Sequence, residues 1–439
     1  MLKKVSVILL LLIFISVSFT ACTDSREIDD DIYPIMIGID KGTTNKMRVI
    51  IQYPTYKVGG GGGGSGGAQG DTGKGDASKS NASEGANVHT IEASSVVEAI
   101  NLFNTAISRT VVISHVKMLV ISEEFAREGI ENYVMPLVRF RDARRSIQVV
   151  ISKGKAEDFI HENKTNIGDS LSKSTELMFN QSNKNGYFPQ VSLDNIYERM
   201  LSPYSEAMAV YGGINNFHNL PELKEGEKSP LVIERDFLPG ELPRSGVAKR
   251  EFLGTAVFAG GKMVGTLNNN ETRYMLMVIG HFKRGLITCL DKNDPKSSIS
   301  FDIIPGRKPK ITAKFEDGKP VINVKLNIEA DVVTIQSRIN YEDKNKINEL
   351  NVMLKNYIED GVKKSIEKTQ KEYKSDIFGF GFKIARQFNT LPEFLQYNWL
   401  SHYPDAKVNV DVVVNVRRTG LMNRSGPVYT SEENPAGGI

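Results

Sequence analysis

The chain has 439 residues, 40% of them hydrophobic and 24% charged, with a formal net charge of +3. That length suggests two or three domains. Near-neutrality leaves no electrostatic footprint for nucleic acid, and two cysteines, Cys22 and Cys289, exclude a disulfide framework.

At the amino terminus Lys3 and Lys4 precede the apolar run VSVILLLLIFISV, Val5–Val17. A short cationic head, an apolar core and small residues before a cut make a secretory signal. The core is shorter than the ~20 apolar residues that span a bilayer comfortably. Thr20 and Ala21 are small, and Cys22 follows them directly. The stretch resembles the bacterial lipobox, with Phe19 where Leu is usual. That resemblance implies a leader over residues 1–21 and a covalent diacylglycerol on Cys22, with or without an added N-acyl chain. Two chains, at about 0.8 kcal/mol per buried CH₂, hold a protein where one does not. The acidic segment after Cys22 (Asp24, Glu27, Asp29, Asp30, Asp31) adds no polybasic attraction.

Downstream, MRVIIQY (Met47–Tyr53) and VHTIEA (Val88–Ala93) read as two strands of a hairpin. Between them the glycine- and serine-rich block 59–87 has no apolar residue large enough to bury, and reads as a disordered insertion. Val96, Ile100, Phe103 and Ile107 form a helical stripe capped by Ser94 or Ser95. HVKMLVIS is a strand, EEFAREGIENYVMPLVRF one or two helices broken at Pro136, SIQVVIS a strand and AEDFIHEN a short helix. This order predicts an N-terminal α/β domain over 22–200. Residues 201–302 read as a strand-rich central domain in which GTAVFAGGKMVGTL turns at Gly260-Gly261 and ETRYMLMVIGHF forms a short helix. A C-terminal α+β domain follows over 303–420. It holds a long strand or bent pair at Pro320–Gln336, a helix from Lys344 to Lys374, and a period-two strand at Val408–Val416. The tail 421–439 lacks pattern. The fold class predicted is therefore α+β, with mixed sheets and packed helices in three successive domains.

Catalytic templates fail. GGSGG (Gly63–Gly67) matches a nucleophile elbow literally but has glycine where strand and helix should flank the serine. GDTGKGD lacks the first P-loop glycine at Ala68 and the Mg²⁺-binding hydroxyl at Gly75. None of the six histidines pairs with another at i, i+4 spacing, so no metal site is expected. His115 leads a strong strand, either as a hydrogen-bonded strand-entry residue or as a catalytic one. Arg139, Arg141, Arg144 and Arg145 crowd one turn, as an interface or as a solvated face. In DIFGFGFKIARQF, Asp376 stands as an N-cap beside Gly379 and Gly381. Phe378, Phe380 and Phe382 would dock a partner if exposed and seal a helix entry if buried. Cys289 reads as a small buried apolar residue.

Taken together and in order, several segments resemble the Ger(x)C family, the lipoprotein C subunits of spore germinant receptors. They are DSREIDDDIYPIMIGIDKG after Cys22, SHVKMLVISEEFAREGI, RFRDARRSIQVVISKGKAEDF, GTAVFAGGKMVGTLNNNET, DIFGFG, the lone Trp399 and VNVDVVVNVRRTG. Thr23 stands where Trp is common, and the glycine-rich insertion is not a family feature. The resemblance implies three mixed α/β domains on the outer face of the inner spore membrane. It implies partnership with an A subunit and a multi-spanning B subunit, and a role in nutrient-triggered germination without known chemistry. The expectation is a non-enzymatic, lipid-anchored receptor subunit. The alternative is a solute-binding lipoprotein of a transporter, which would need a deep cleft between two lobes.

Overall fold

The computed structural model describes residues 28–55, 85–164, 170–217, 224, 226, 229–337, 339–420 and 422. The leader, Cys22, most of the glycine-rich insertion and the tail beyond 422 lie outside them.

A strand buried on both faces reads as a nearly continuous apolar run, and three short strands carry one, over 36–39, 118–121 and 149–151. They are β2 (Met36–Lys41), β6 (Met118–Ser122) and β7 (Gln148–Ser152), which pair in parallel with Met36 opposite Met118 and Met118 opposite Gln148. Before them, β1 (Asp31–Ile32) pairs in parallel with β5 (Thr110–Val111). β3 (Met47–Pro54) and β4 (Ala86–Ala93) form the expected hairpin, Pro54 facing Ala86 across the insertion. The strand thus takes up the last two residues, 86 and 87, of the block read as disordered. Helix α1 (Val96–Ala106) begins at Ser95, whose side chain accepts from the Glu98 N–H. α2 (Glu123–Glu128) and α3 (Glu131–Val134) follow β6, separated at Gly129, and Pro136 only opens the next 3₁₀ turn. These helices pack on one sheet face, while α4 (Ala156–His161) and α5 (Leu171–Asn180) cover the other.

The stretch 201–302 does not form a sheet of its own. After α6 (Leu193–Met200), β8 (Met208–Ile214) pairs in parallel with β7. β9 (Arg250–Ala259) and β10 (Lys262–Leu267), the hairpin turning at Gly260-Gly261, then extend the same sheet antiparallel. The result is an eight-stranded sheet in the order β10-β9-β8-β7-β6-β2-β3-β4. The physical reason is burial: eight of the ten residues of β9 are buried, so neither face nor edge can stand alone in water. α7 (Asn269–Ile279) carries a capping box, Asn268 with Glu271, and crosses to a second sheet.

That sheet runs β11-β12-β13-β14. β11 (Gly285–Leu290) comes from the stretch read as central. β12 (Ser298–Glu316) and β13 (Lys319–Ile335) are 19 and 17 residues long, so the expected stretch from Pro320 forms one strand, ending at Ile335, rather than a bent pair. β13 pairs in parallel with β14 (Lys407–Arg418) through the crossover helix α8 (Lys344–Lys368). Leu350, Leu354, Ile358, Val362 and Ile366 of α8 are buried, as their spacing predicts. One apolar cluster runs unbroken from Ile32 to Val416 and joins the two sheets.

Helix α8 meets α7 at a glycine. A Cβ added at Gly361 would lie 2.3 Å from the Tyr274 ring. Gly361→Ala should therefore destabilise by about 1–3 kcal/mol through overpacking, although alanine is the better helix former by about 1 kcal/mol. Urea unfolding measures it, and a higher midpoint for the variant would refute the close crossing.

Candidate functional site

Parallel strands end in a crevice where α/β proteins commonly bind ligands. Here β2, β6 and β7 end at Asp40, Ser122 and Ser152, all buried. Asp40 accepts from the N–H groups of Ala156 (2.7 Å) and Glu157 (2.9 Å) at the start of α4. The position where a ligand anion would sit is thus filled by the protein's own carboxylate, and burial pushes that carboxyl above its ordinary range. Three of the neighbouring cations are also taken: Lys41 by Glu128 at 2.5 Å, Arg48 by Glu92 at 3.1 Å, Arg127 by Glu123 at 2.7 Å.

Asp376 is the centre of a different constellation. It is fully buried, Oδ1 accepting from Gly379 N (2.9 Å) and Oδ2 from Gly381 N (3.0 Å) and Trp399 Nε1 (2.8 Å). Gly379 holds a φ of 73°, and a Cβ on Gly381 would lie 2.4 Å from both the Trp399 ring and the Tyr204 carbonyl. The sequence reading of Asp376 as a helix N-cap needs correction. α9 (Gly381–Ile384) has Phe380 at its N-cap, and Asp376 closes the loop before it. The three phenylalanines divide. Phe378 and Phe380 are buried against each other, whereas Phe382 is 51% exposed beside Tyr204.

This loop is bolted to the first sheet. The backbone carbonyl of Asp376 accepts from Glu206 N at 2.9 Å, and Arg199 Nη1 donates to the carbonyls of Glu206 (3.0 Å) and Ile377 (2.9 Å). Glu206 in turn accepts from Gly260 N at 2.8 Å, in the turn of the β9–β10 hairpin. A second buried contact ties the loop between β8 and β9 to α7 and the second sheet. Glu234, at φ 44°, pairs with Arg273 of α7 at 3.2 Å and accepts from Thr288 N of β11 at 2.9 Å. Arg199, Glu206, Glu234 and Arg273 carried no sequence signal, because every one of them is fixed by a partner tens of residues or more away, such as Ile377 for Arg199. The asparagine run Asn268–Asn270 was the one available hint, since Asn269 and Asn270 grip the backbone around Glu234.

The remaining candidates are not brought to either bolt. His115 is exposed in the turn before β6, its ring 4.8 Å edge-on from Tyr33, and partial burial with Arg144 and Lys117 nearby holds it below its ordinary pKa. Arg139, Arg141, Arg144 and Arg145 are all exposed, Arg145 alone pairing with a carboxylate, Asp194 at 3.3 Å. Cys289 is buried, and burial pushes its thiol up to about 12. Among the described residues no His, Cys, Asp and Glu cluster could hold a metal, and no helix is long and apolar enough to cross a membrane.

Burial raises the carboxyl of Asp376 against the pull of Trp399, Gly381, Phe380 and Gly379. An acid raised on folding contributes most stability below its unfolded value and loses it as pH rises through the folded one. Asn cannot titrate. The penalty of Asp376→Asn should be about 1–3 kcal/mol near pH 4, from acceptors lost to buried donors, and should shrink toward neutral pH. Urea midpoints from pH 4 to 8 read this, and a penalty that grows with pH would show instead an ionised carboxylate held by Arg199.

Comparison with known proteins matches this geometry in two pieces. Residues 24–213 fit the family model described as spore germination protein N-terminal domain, and residues 253–420 that described as spore germination B3/GerAC like, C-terminal. Spore germination protein KC of Bacillus subtilis (strain 168) is 23% identical over 96% of this chain and 98% of its own. Spore germination protein B3 of the same organism is 25% identical over 71% of this chain and 75% of its own. The crystal structure of the GerBC protein overlays with a TM-score of 0.49 at 18% identity, covering 87% of this chain and 96% of that one. The break between the two models falls in the loop between β8 and β9, so neither boundary expected at 200 or 302 coincides with it. Matched across both halves, the chain belongs to the Ger(x)C family, the GerAC-like spore germination proteins.

Proposed function

We propose that this protein is a non-enzymatic, lipid-anchored subunit of a membrane germinant receptor that supports assembly or signalling with A and B subunits. The observation that carries the reading is the collinear match of both spore germination models, which leaves only the leader, the β8–β9 loop and the tail unmatched. Cys22, just ahead of the first match, takes the diacylglycerol in this reading and places the body on the extracytoplasmic side of the inner spore membrane. The tether raises its effective concentration near integral partners, so modest interfaces suffice. The two buried bolts support a mechanical part: a force on the second sheet reaches the first without a hinge between them. Asp40 in the crevice does not favour the solute-binding alternative.

Cys22→Ala is the direct test. It should abolish fatty-acid labelling, release the protein from the membrane fraction and slow nutrient-triggered germination. Full membrane retention of the variant would defeat the anchor.

A further inference from the structure

We infer that the cavity beside His115 binds the phosphodiester of an anionic phospholipid, with Lys117 and Arg144 on the phosphate and Gln148 on a headgroup hydroxyl. The inference deepens the anchored reading and rests on it for orientation.

The first ground is where the tether enters. From Cys22 to Ile28 the chain has six peptide steps, about 20 Å at full extension. Ile28 leads directly into β1, which is fixed to β5, and Val112 N donates to the Ile32 carbonyl at 2.9 Å. Tyr33 then packs edge-on against His115. The edge where β2, β6 and β7 begin is therefore the side of the body that a lipid on Cys22 draws toward the bilayer.

The second ground is what that edge carries. A cavity of about 220 Å³ opens between His115, Lys117, Arg144, Gln148 and Glu176. Lys117 and Arg144 have no ion-pair partner among the described residues, and the neighbouring Arg139 and Arg141 have none either. Gln148 Oε1 is buried and accepts no hydrogen bond. Two free cations with an idle acceptor suit a phosphate that bears a hydroxyl-containing headgroup. The carboxylates near this edge are Glu176, which lies 3.2 Å from Lys173, Asp142 in the arginine turn, Asp194 on Arg145, Asp29 and Asp30 before β1, and Asp31, whose Oδ2 accepts from the hydroxyl of Tyr33. Lys117 and Arg144 lie on the cavity itself, with Glu176 the acid beside them.

The test uses the mature chain from residue 22 with Cys22→Ser, which retains every described residue and owes nothing to the anchor. Co-sedimentation is measured with phosphatidylglycerol vesicles and with phosphatidylcholine vesicles. Binding to the first alone is expected, with Lys117→Gln/Arg144→Gln weakening it about 30-fold at two interfacial charges. Lys308→Gln/Lys310→Gln, on the exposed part of β12, should bind as the parent does, and matched thermal melts establish that each variant is folded. Equal binding to both lipids, an unaffected double variant, or inorganic phosphate at millimolar concentration displacing the chain from vesicles would each overturn the lipid site. No vesicle binding at all would also overturn it, and would turn the arginine edge toward an acidic protein surface. Because Cys22 is absent from the assay, failure here leaves the anchor to stand or fall by its own labelling experiment.

Discussion

A carboxylate cut off from water must receive from the protein the hydrogen bonds that water would have given. Asp376 receives three, from Gly379, Gly381 and Trp399, and the demand dictates everything nearby. Two glycines are needed because the amides must approach closely and one must take a positive φ. The chain's one tryptophan is needed because its N–H reaches in from a separate turn while its ring covers the loop. Arg199 then satisfies the carbonyl of Ile377, fastening the backbone just after the buried acid. Remove the buried acid and the loop loses its reason to dock on Glu206.

That loop matters because the molecule is not divided where its family models divide. β9 and β10 fall in the C-terminal match, yet they complete the N-terminal sheet. The C-terminal part therefore holds the first sheet by a shared hairpin and by the Asp376 loop at the hairpin's turn, while Glu234 and Arg273 fasten the β8–β9 loop to α7. An interface made of shared strands and buried polar pairs cannot slide, since every displacement exposes an unsatisfied group. Under the function proposed above, holding or relaying position beside a membrane, that rigidity is the useful property.

Much of the local structure was legible. The stripe of Val96, Ile100 and Phe103, the face of Leu350 to Ile366, the glycine turn at 260 and the alternating valines of β14 all became the elements their spacing predicts. β2 was not read as a strand although β6 and β7, buried like it, were, because Gly38 and Asp40, residue types depleted in strands, interrupt its apolar run. Asp376, Gly379, Gly381 and Trp399 were each singled out, but as a cap, two glycines and a signature residue rather than as one site.

Sequence alone determined most of the longer helices and strands and which faces turn inward, since those follow from the periodicity of apolar side chains along a few turns or pleats. It also marked Cys22 and the arginine turn as exceptional. Only the tertiary structure decided that residues 201–302 divide between two sheets, that Arg199 and Glu234 become buried bolts, and that Asp40 occupies its own crevice. Those outcomes depend on which edge and which distant partner a segment meets, and the free energy of such a meeting is not written in either segment by itself.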